Sequence, residues 1–380
     1  MPSRNYYLLL LLPVLLYACT QRQPAEHSFY FWKNNANPYY GSRYDDSLVD
    51  AMGIQHFYVR FMDVDWSEQL KMPVPASVPD LDFRVSIPAV RHFTPVIFIT
   101  GRTIEQMDTA WCDSLLALKL QKNIEALKKQ MDQQYIDHVY YKIAATIPGY
   151  AYNTANDTLR SKITDSLTRP LAEIQIDCDW TARSKEKYFR FLRSMKRIFP
   201  QQSLSATIRL YPYKYPDKMG VPPVDRGMLM CYNMGNINRL QTDNSVFSLE
   251  ELKQYIGKGN KYKLPLDIAL PVFGWYAWFR GEKLKGILYR AELPDNALKK
   301  FFTAVAPHRY QLQEDYTIGD RLLREGDLLR EEFPDPAALE AAAQLLKDHF
   351  PDARRITFFH WNPGSETQYE TSVKKIYALF

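Results

Sequence analysis

The stretch Glu173 to Thr181, Glu-Ile-Gln-Ile-Asp-Cys-Asp-Trp-Thr, constrains the fold more than any other part of the chain. Read as a strand, its alternation puts Gln175, Asp177 and Asp179 on one side and Ile174, Ile176 and Cys178 on the other. One face is acidic and the other apolar. A strand in a parallel sheet normally has apolar residues on both faces because helices cover the sheet, so a row of carboxylates needs a reason. An active site at the strand's carboxyl end supplies one.

The rest of the chain repeats a short apolar run followed by a helical or loop segment. The runs are Phe29 to Trp32, His56 to Met62, Val96 to Thr100, the acidic stretch, Leu204 to Arg209, Met228 to Tyr232, Leu266 to Phe273 and Ile356 to Trp361. Between the first two lies the helix-like Asp45 to Met52. After the acidic stretch, Tyr188, Phe191, Leu192, Met195 and Ile198 recur at helical spacing behind a potential N-cap at Ser184. Ser248 to Tyr255 reads as another capped helix, with Glu250 and Glu251 in its first turn. Eight β runs with intervening crossovers fit an α/β fold, a (β/α)8 TIM barrel. Two crossovers exceed a simple unit, so insertions are expected after strands three and seven, at about 103–169 and 277–351. The second holds a turn-rich extension around Thr317 to Asp327, where glycines argue against a helix, and a helix from Pro336 to His349.

The first residues address the compartment. Arg4 gives a positive n-region, Tyr7 to Leu16 an apolar run, and Leu16-Tyr17-Ala18-Cys19 the form of a lipobox. The run is too short to span a bilayer permanently. The segment resembles a bacterial lipoprotein signal, which implies cleavage after residue 18, lipidation of Cys19 and a tether over 19–27 before a single barrel domain, 28–380. No Asp follows Cys19, which by the same resemblance favours the outer membrane.

Hydrophobic content of 46% with 14% aromatic residues is ample for a core. The net charge of +5 is dispersed, without the basic stripe that nucleic acid requires. Cys112, Cys178 and Cys231 read as buried hydrophobes, not a disulfide framework, and neither they nor the scattered histidines have metal-ligand spacing, so no cofactor or metal is expected.

Functional residues of such a barrel gather at the carboxyl ends of the strands. Those positions hold Asp63 and Asp65, Arg102, Asp177 and Asp179, Arg209 and Tyr211, Tyr232 and Asn233, Trp275 and Trp278, then His360, Trp361 and Asn362. Acids, tyrosines and tryptophans together suit a carbohydrate partner, aromatic faces stacking on sugar rings while carboxylates contact hydroxyls and move protons. Asp179, nearer the mouth, is expected to act on the substrate. The deeper Asp177 is the better structural carboxylate, with Arg60 as its expected partner. Several residues keep two readings. Tyr232, Trp361, Trp275 and Trp278 are sugar contacts or packing groups, Asp63 and Asp65 further acids or caps, and His360 a catalyst or a core residue.

Ile176-Asp-Cys-Asp-Trp-Thr181 resembles the strand-four signature of family-18 glycoside hydrolases, whose pattern ends in Asp-x-Asp-x-Glu. Met230-Cys-Tyr232 is similar to their strand-six Met-x-Tyr, and Trp361 lies where they carry a tryptophan beneath the sugar. The longer stretch Ile174 to Phe189, with Leu204 to Thr207 and Asp267 to Pro271, looks closer to an uncharacterised bacterial family of related barrels. The resemblance implies a glycan-active protein, but Thr181 occupies the position of the proton-donating glutamate. A glycoside hydrolase-like enzyme and a glycan-binding protein that has lost its proton donor both remain open.

Overall fold

The structure, a computed structural model, describes residues 24–32, 46–77, 92–147, 157–168, 170–257, 262–361 and 368–380. Cys19, its lipobox and Asn362 lie outside the described residues.

The strands are β1 (Glu26–Phe31), β2 (His56–Ser67), β3 (Met72–Ser77), β4 (His92–Ile99), β5 (Glu173–Asp177), β6 (Ser203–Arg209), β7 (Arg226–Met230) and β8 (Leu266–Pro271). A further group, β9 (Trp275–Arg280), β10 (Lys283–Leu288), β11 (Phe302–Ala306), β12 (Arg309–Leu312), β13 (Tyr316–Ile318), β14 (Arg321–Leu323) and β15 (Leu328–Glu332), precedes β16 (Arg355–Phe359). Eight of them run in the order β1-β16-β8-β7-β6-β5-β4-β2, and β2 pairs back onto β1. All eight pairings are parallel. The sheet is therefore a closed (β/α)8 barrel, with β3 an antiparallel extension of β2.

Alternation sorts the side chains. Phe29, Phe57, Ile97, Ile174, Ile208, Leu229, Ile268 and Phe358 point outward into the main core under the helices. Tyr30, Tyr58, Val96, Met228 and Ala269 point inward and form a separate cluster in the barrel. The amphipathic helix Lys185–Ile198 buries Tyr188, Phe191, Leu192 and Met195 against the outer layer, leaving lysines and arginines outside. Helix Pro336–His349 is capped by Asp335, whose carboxylate accepts from the Ala338 amide, and Ser248 does the same for Glu251 in helix Leu249–Tyr255.

The amino ends of the strands meet in a charged plug. Arg355 donates to Glu26 at 2.5 Å, to Glu173 and to the Tyr58 hydroxyl at 3.0 Å. Glu173 accepts from Ser205 at 2.5 Å, and Gln175 links Ser205 to the Tyr30 hydroxyl. Arg226 pairs with buried Asp267 at 3.2 Å. Charge fills this pole because each buried carboxylate has a guanidinium or hydroxyl on it.

Between β4 and β5 a 29-residue helix, Leu116–Ala144, packs its end on helix Asp157–Leu167 through Ile136, Tyr140 and Ile163. Between β8 and β16, β9–β12 and β15 include a five-stranded antiparallel sheet ordered β10-β9-β15-β12-β11, with its own core of Tyr276, Leu288, Leu293, Phe302 and Leu329. The turn-rich segment is the hairpin β13–β14, whose Gly319 takes the left-handed conformation at φ 60°.

Candidate functional site at the barrel mouth

Asp177 is the last residue of β5 and faces the barrel interior, where it is buried. Thr207, on the neighbouring strand β6, donates to it at 2.6 Å. Burial raises its carboxyl to about 6, the Thr207 hydrogen bond opposes that rise, the Asp179 charge adds to it, and the Arg209 and Arg60 cations oppose it. Asp179 lies just past the strand with its side chain 65% exposed, and Arg209 approaches it at 3.7 Å. Gly101 lies under this turn, where a Cβ would come within 3.1 Å of the Asp179 carbonyl. The rim of β4 thus packs directly against the acidic turn.

Arg60 forks onto Asp63, its Nε donating at 2.7 Å and a second nitrogen reaching the other oxygen. Its guanidinium also lies 5.1 Å from the centre of the Trp32 ring. This corrects the expected Arg60–Asp177 pair, because a one-residue register shift at Phe61 in β2 brings Asp63 onto the same face as Arg60. Arg60 acts on Asp177 through its field, and Thr207 makes the direct contact. Asp65 turns to the rim, accepting from the Thr100 hydroxyl at 2.9 Å and from the Trp66 amide at 2.8 Å.

The mouth is aromatic. Phe359 of β16 faces inward, 5.1 Å from Tyr232, 5.4 Å from Phe273 and 5.5 Å from Trp32. Trp361 instead packs on the outer layer, 5.1 Å from Phe29 and 5.9 Å from Phe57, and is buried there. The reading of Trp361 as a sugar floor is corrected by where the strand ends: β16 stops at Phe359, its last inward residue, and the strand's alternation does not carry on to Trp361, which packs in the outer core.

Tyr232 is buried beside this floor, and its hydroxyl has no hydrogen-bond partner among the described residues. Burial and then the nearby Asp177 carboxylate push its phenol well above the ordinary value, so it stays a neutral donor. Asn233 follows in the left-handed region, φ 51°, its buried side-chain oxygen likewise unpartnered while its carbonyl accepts from Arg209 at 3.0 Å. An unmet hydroxyl and an unmet amide oxygen, side by side, are groups that a polar ligand would satisfy.

Trp275 opens β9, and its indole nitrogen donates to Glu332 at 3.0 Å. Glu332 also takes the Ser245 amide at 3.1 Å and pairs with Arg330, both members being almost completely buried. Arg330 in turn donates to the Ile237 carbonyl at 3.0 Å. This clamp fixes the insertion sheet and the loop after β7 to the mouth. Trp278 belongs to the insertion's own core, donating to Asp327 at 2.8 Å. His360 is half-buried beside Phe273.

The structure brings Asp177, Asp179, Tyr232, Asn233 and Arg209 near one another, together with Thr207, Phe359 and Glu332, which the sequence reading does not name as site residues. Thr207 has a signal, standing two residues before Arg209 on the same strand, and Phe359 stands in the last apolar run. Glu332 has none, because its partners Trp275 and Ser245 come from a paired strand and a loop far from it along the chain. Cavities of about 310 Å³ beside Cys112 and Arg190 and about 360 Å³ beside Leu240 and Arg309 lie away from the mouth.

Thr181 does not face this floor. Its hydroxyl accepts from the Ser184 amide at 3.3 Å, and Ser184 accepts from the Thr181 amide at 2.9 Å, a reciprocal cap at the start of helix Lys185–Ile198. Thr181→Ala is expected to lower unfolding stability in urea by about 0.5–2 kcal/mol, with binding at the mouth unchanged. A binding loss without a stability loss would remove Thr181 from the cap.

No family model and no curated protein matches the chain. Among solved structures it is similar to a chitinase from Chromobacterium violaceum, at 11% identity and a TM-score of 0.47, covering 93% of this chain and 99% of that one. The spore cortex-lytic enzyme SleL of Bacillus cereus matches at 13% identity and a TM-score of 0.45, over 93% and 75% of the two chains. A fungal endo-β-N-acetylglucosaminidase of glycosyl hydrolase family 18 matches at 9% identity and 0.42, over 93% and 98%. The barrel itself follows from the strand pairing and does not rest on these likenesses.

Proposed function

We propose that this chain is a glycan-active, glycoside hydrolase-like barrel carried on the cell envelope, anchored in the outer membrane by lipid on Cys19. The observation that carries the reading is the pairing of two unlike carboxylates in one aromatic mouth: Asp177 buried and raised to about 6, Asp179 open to solvent. Carboxylates in surroundings this unlike, one buried and one open to solvent, divide the tasks of acid and charged contact. Asp179 contacts the substrate, and Phe359, Tyr232 and Trp275 border the sugar. The Tyr232 hydroxyl and the Asn233 amide supply hydrogen bonds that the ligand completes. Asp177 is the group whose proton is available near neutral pH, since it is held below bulk solvent beside the Thr207 hydroxyl.

A second reading, a glycan-binding protein without turnover, is favoured by Thr181 in a helix cap and by Asp63 locked onto Arg60. Neither of those residues supplies the missing proton donor. Asp179→Asn separates the readings on a panel of oligosaccharides and cell-wall fragments. Turnover by the native chain that falls at least about 100-fold in the variant, with binding kept, supports the hydrolase. Binding by the native chain without turnover supports the binder. A native chain that neither binds nor cleaves any glycan overturns both.

A further inference from the structure

Beyond the mouth, the segment that follows β6 carries an aromatic group that neither reading uses. The short helix Leu210–Lys214 leaves the carboxyl end of β6 immediately after Arg209, the residue that approaches Asp179. Its first turn buries Pro212 and Tyr213 and turns Tyr211 outward, and the next turn of chain does the same with Tyr215. The two rings are 41% and 42% exposed, with centroids 4.8 Å apart. Tyr255, at the end of helix Leu249–Tyr255, stands behind them, with the Lys214 ammonium between its ring and that of Tyr215, 5.4 Å and 5.5 Å from the two centres. Lys218 holds the Tyr211 hydroxyl at 3.0 Å and covers one face of that ring at 5.5 Å.

These contacts brace the rings without covering them. A tyrosine has two faces, and each lysine takes one, so a rigid pair of exposed rings is left with its remaining faces available at little cost in side-chain entropy. The group is also continuous with the mouth. Burial raises the Tyr255 phenol, the Glu251 carboxylate and the phenols of Tyr215 and Tyr211 add to the rise, and the Arg209 cation opposes it, so Arg209 is within electrostatic reach of the group on one side and of Asp179 on the other. Two rings flanked by lysines are far too small for a stable protein interface, which takes roughly 800 Å² from each partner. They match the apolar face of a pyranose ring.

We propose that Tyr211 and Tyr215 form a second saccharide-binding platform, outside the mouth on the β6 side, which takes further sugar units of a chain whose first unit lies over Asp179. The proposal rests on the glycan reading of the mouth and adds a length preference to it: an oligosaccharide long enough to reach both positions binds better than a disaccharide. Lys214 and Lys218 position the rings, and the rings make the contact.

The test compares the full chain with the Tyr211→Ala/Tyr215→Ala double variant by calorimetry, using the dimer and hexamer of β-1,4-linked N-acetylglucosamine and a matched pair of peptidoglycan-derived fragments. The native chain is expected to bind the longer member more tightly, and the double variant to lose roughly 10- to 100-fold for the longer member alone. Tyr211→Phe/Tyr215→Phe keeps the rings and is expected to retain binding, which separates stacking from the loss of hydroxyls. Both positions are exposed, so melting should be unchanged. Equal loss for short and long ligands, or none for either, overturns the platform while leaving the mouth reading standing. Absence of binding by the native chain to both pairs overturns the platform and the mouth reading together.

Discussion

Arg355→Met is expected to destabilise the barrel by about 3–5 kcal/mol at pH 7, because it strands charges that the fold has buried around this one guanidinium. Arg355 reaches Glu26 at 2.5 Å and Tyr58 at 3.0 Å, and it also pairs with Glu173. Burial raises the Glu26 carboxyl, but hydrogen bonds and charge from His56 and Arg355 outweigh it and hold Glu26 at about 2 against an ordinary 4.5. Burial lowers His56, so at neutral pH the imidazole is uncharged and Arg355 is the permanent cation of the plug. A carboxyl held below its ordinary value contributes stability that is complete above about 4.5 and is lost as pH falls toward 2, up to about 3 kcal/mol in this case. The variant forfeits the part of that contribution that Arg355 supplies, the rest coming from His56, and has less left to lose in acid. Its deficit in urea unfolding should therefore shrink as pH falls from 5 toward 3. A deficit below about 1 kcal/mol at pH 7 would mean that water, not Arg355, satisfies the carboxylates.

The plug also shows what was legible in the sequence. Barrel strands are visible because helices on the outside demand one apolar face from each, so Ile174, Ile176 and Cys178 mark β5, and the same parity identifies the rest. The inward face is read by the same alternation, which places Asp177 inside; β5 ends there, and Asp179 lies just past it, largely exposed. Alternation fails where it is broken. The shift at Phe61 sends Arg60 to Asp63, and no local pattern in His56 to Met62 announces it. At the end of β16, carrying the alternation two residues past Phe359 selects Trp361, but the strand has ended there and Trp361 packs in the outer core. Contacts between distant segments are less legible still. Glu332 meets Trp275 because β15 pairs with β9, and meets Ser245 because that sheet lies against the loop after β7; those two residues are 57 and 87 positions from it along the chain. Thr181 is the opposite case. Its departure from the hydrolase pattern is plain in sequence, and the reciprocal bonds with Ser184 give the position a structural use that needs no catalysis.

Asp177→Asn should make the protein more stable and less functional at once. Burial holds the Asp177 carboxyl at about 6 against an ordinary 3.8, so the folded chain favours the protonated acid while the unfolded chain ionises freely. A carboxyl raised in this way costs nothing below about 3.8, and its penalty grows as pH rises through 6, reaching up to about 3 kcal/mol. Asparagine is nearly isosteric with the neutral acid and keeps an oxygen to accept from Thr207, so the variant should gain most of that amount at pH 8 and nothing at pH 3.5. Any glycan turnover by the native chain should decline as pH rises through about 6, where Asp177 gives up its proton, and should fall by roughly 100-fold or more in the variant at pH 5. The two measurements constrain each other. A stability gain that is absent at pH 8 would show Asp177 ionised without penalty, which removes it as the carboxyl that keeps a proton near neutrality. A gain with unchanged turnover would move the acid elsewhere. A gain with turnover absent in both forms leaves Asp177 as a buried acid retained for saccharide binding, because a position that lowers the stability of the fold by this much in its ionised form is otherwise better filled by an uncharged side chain.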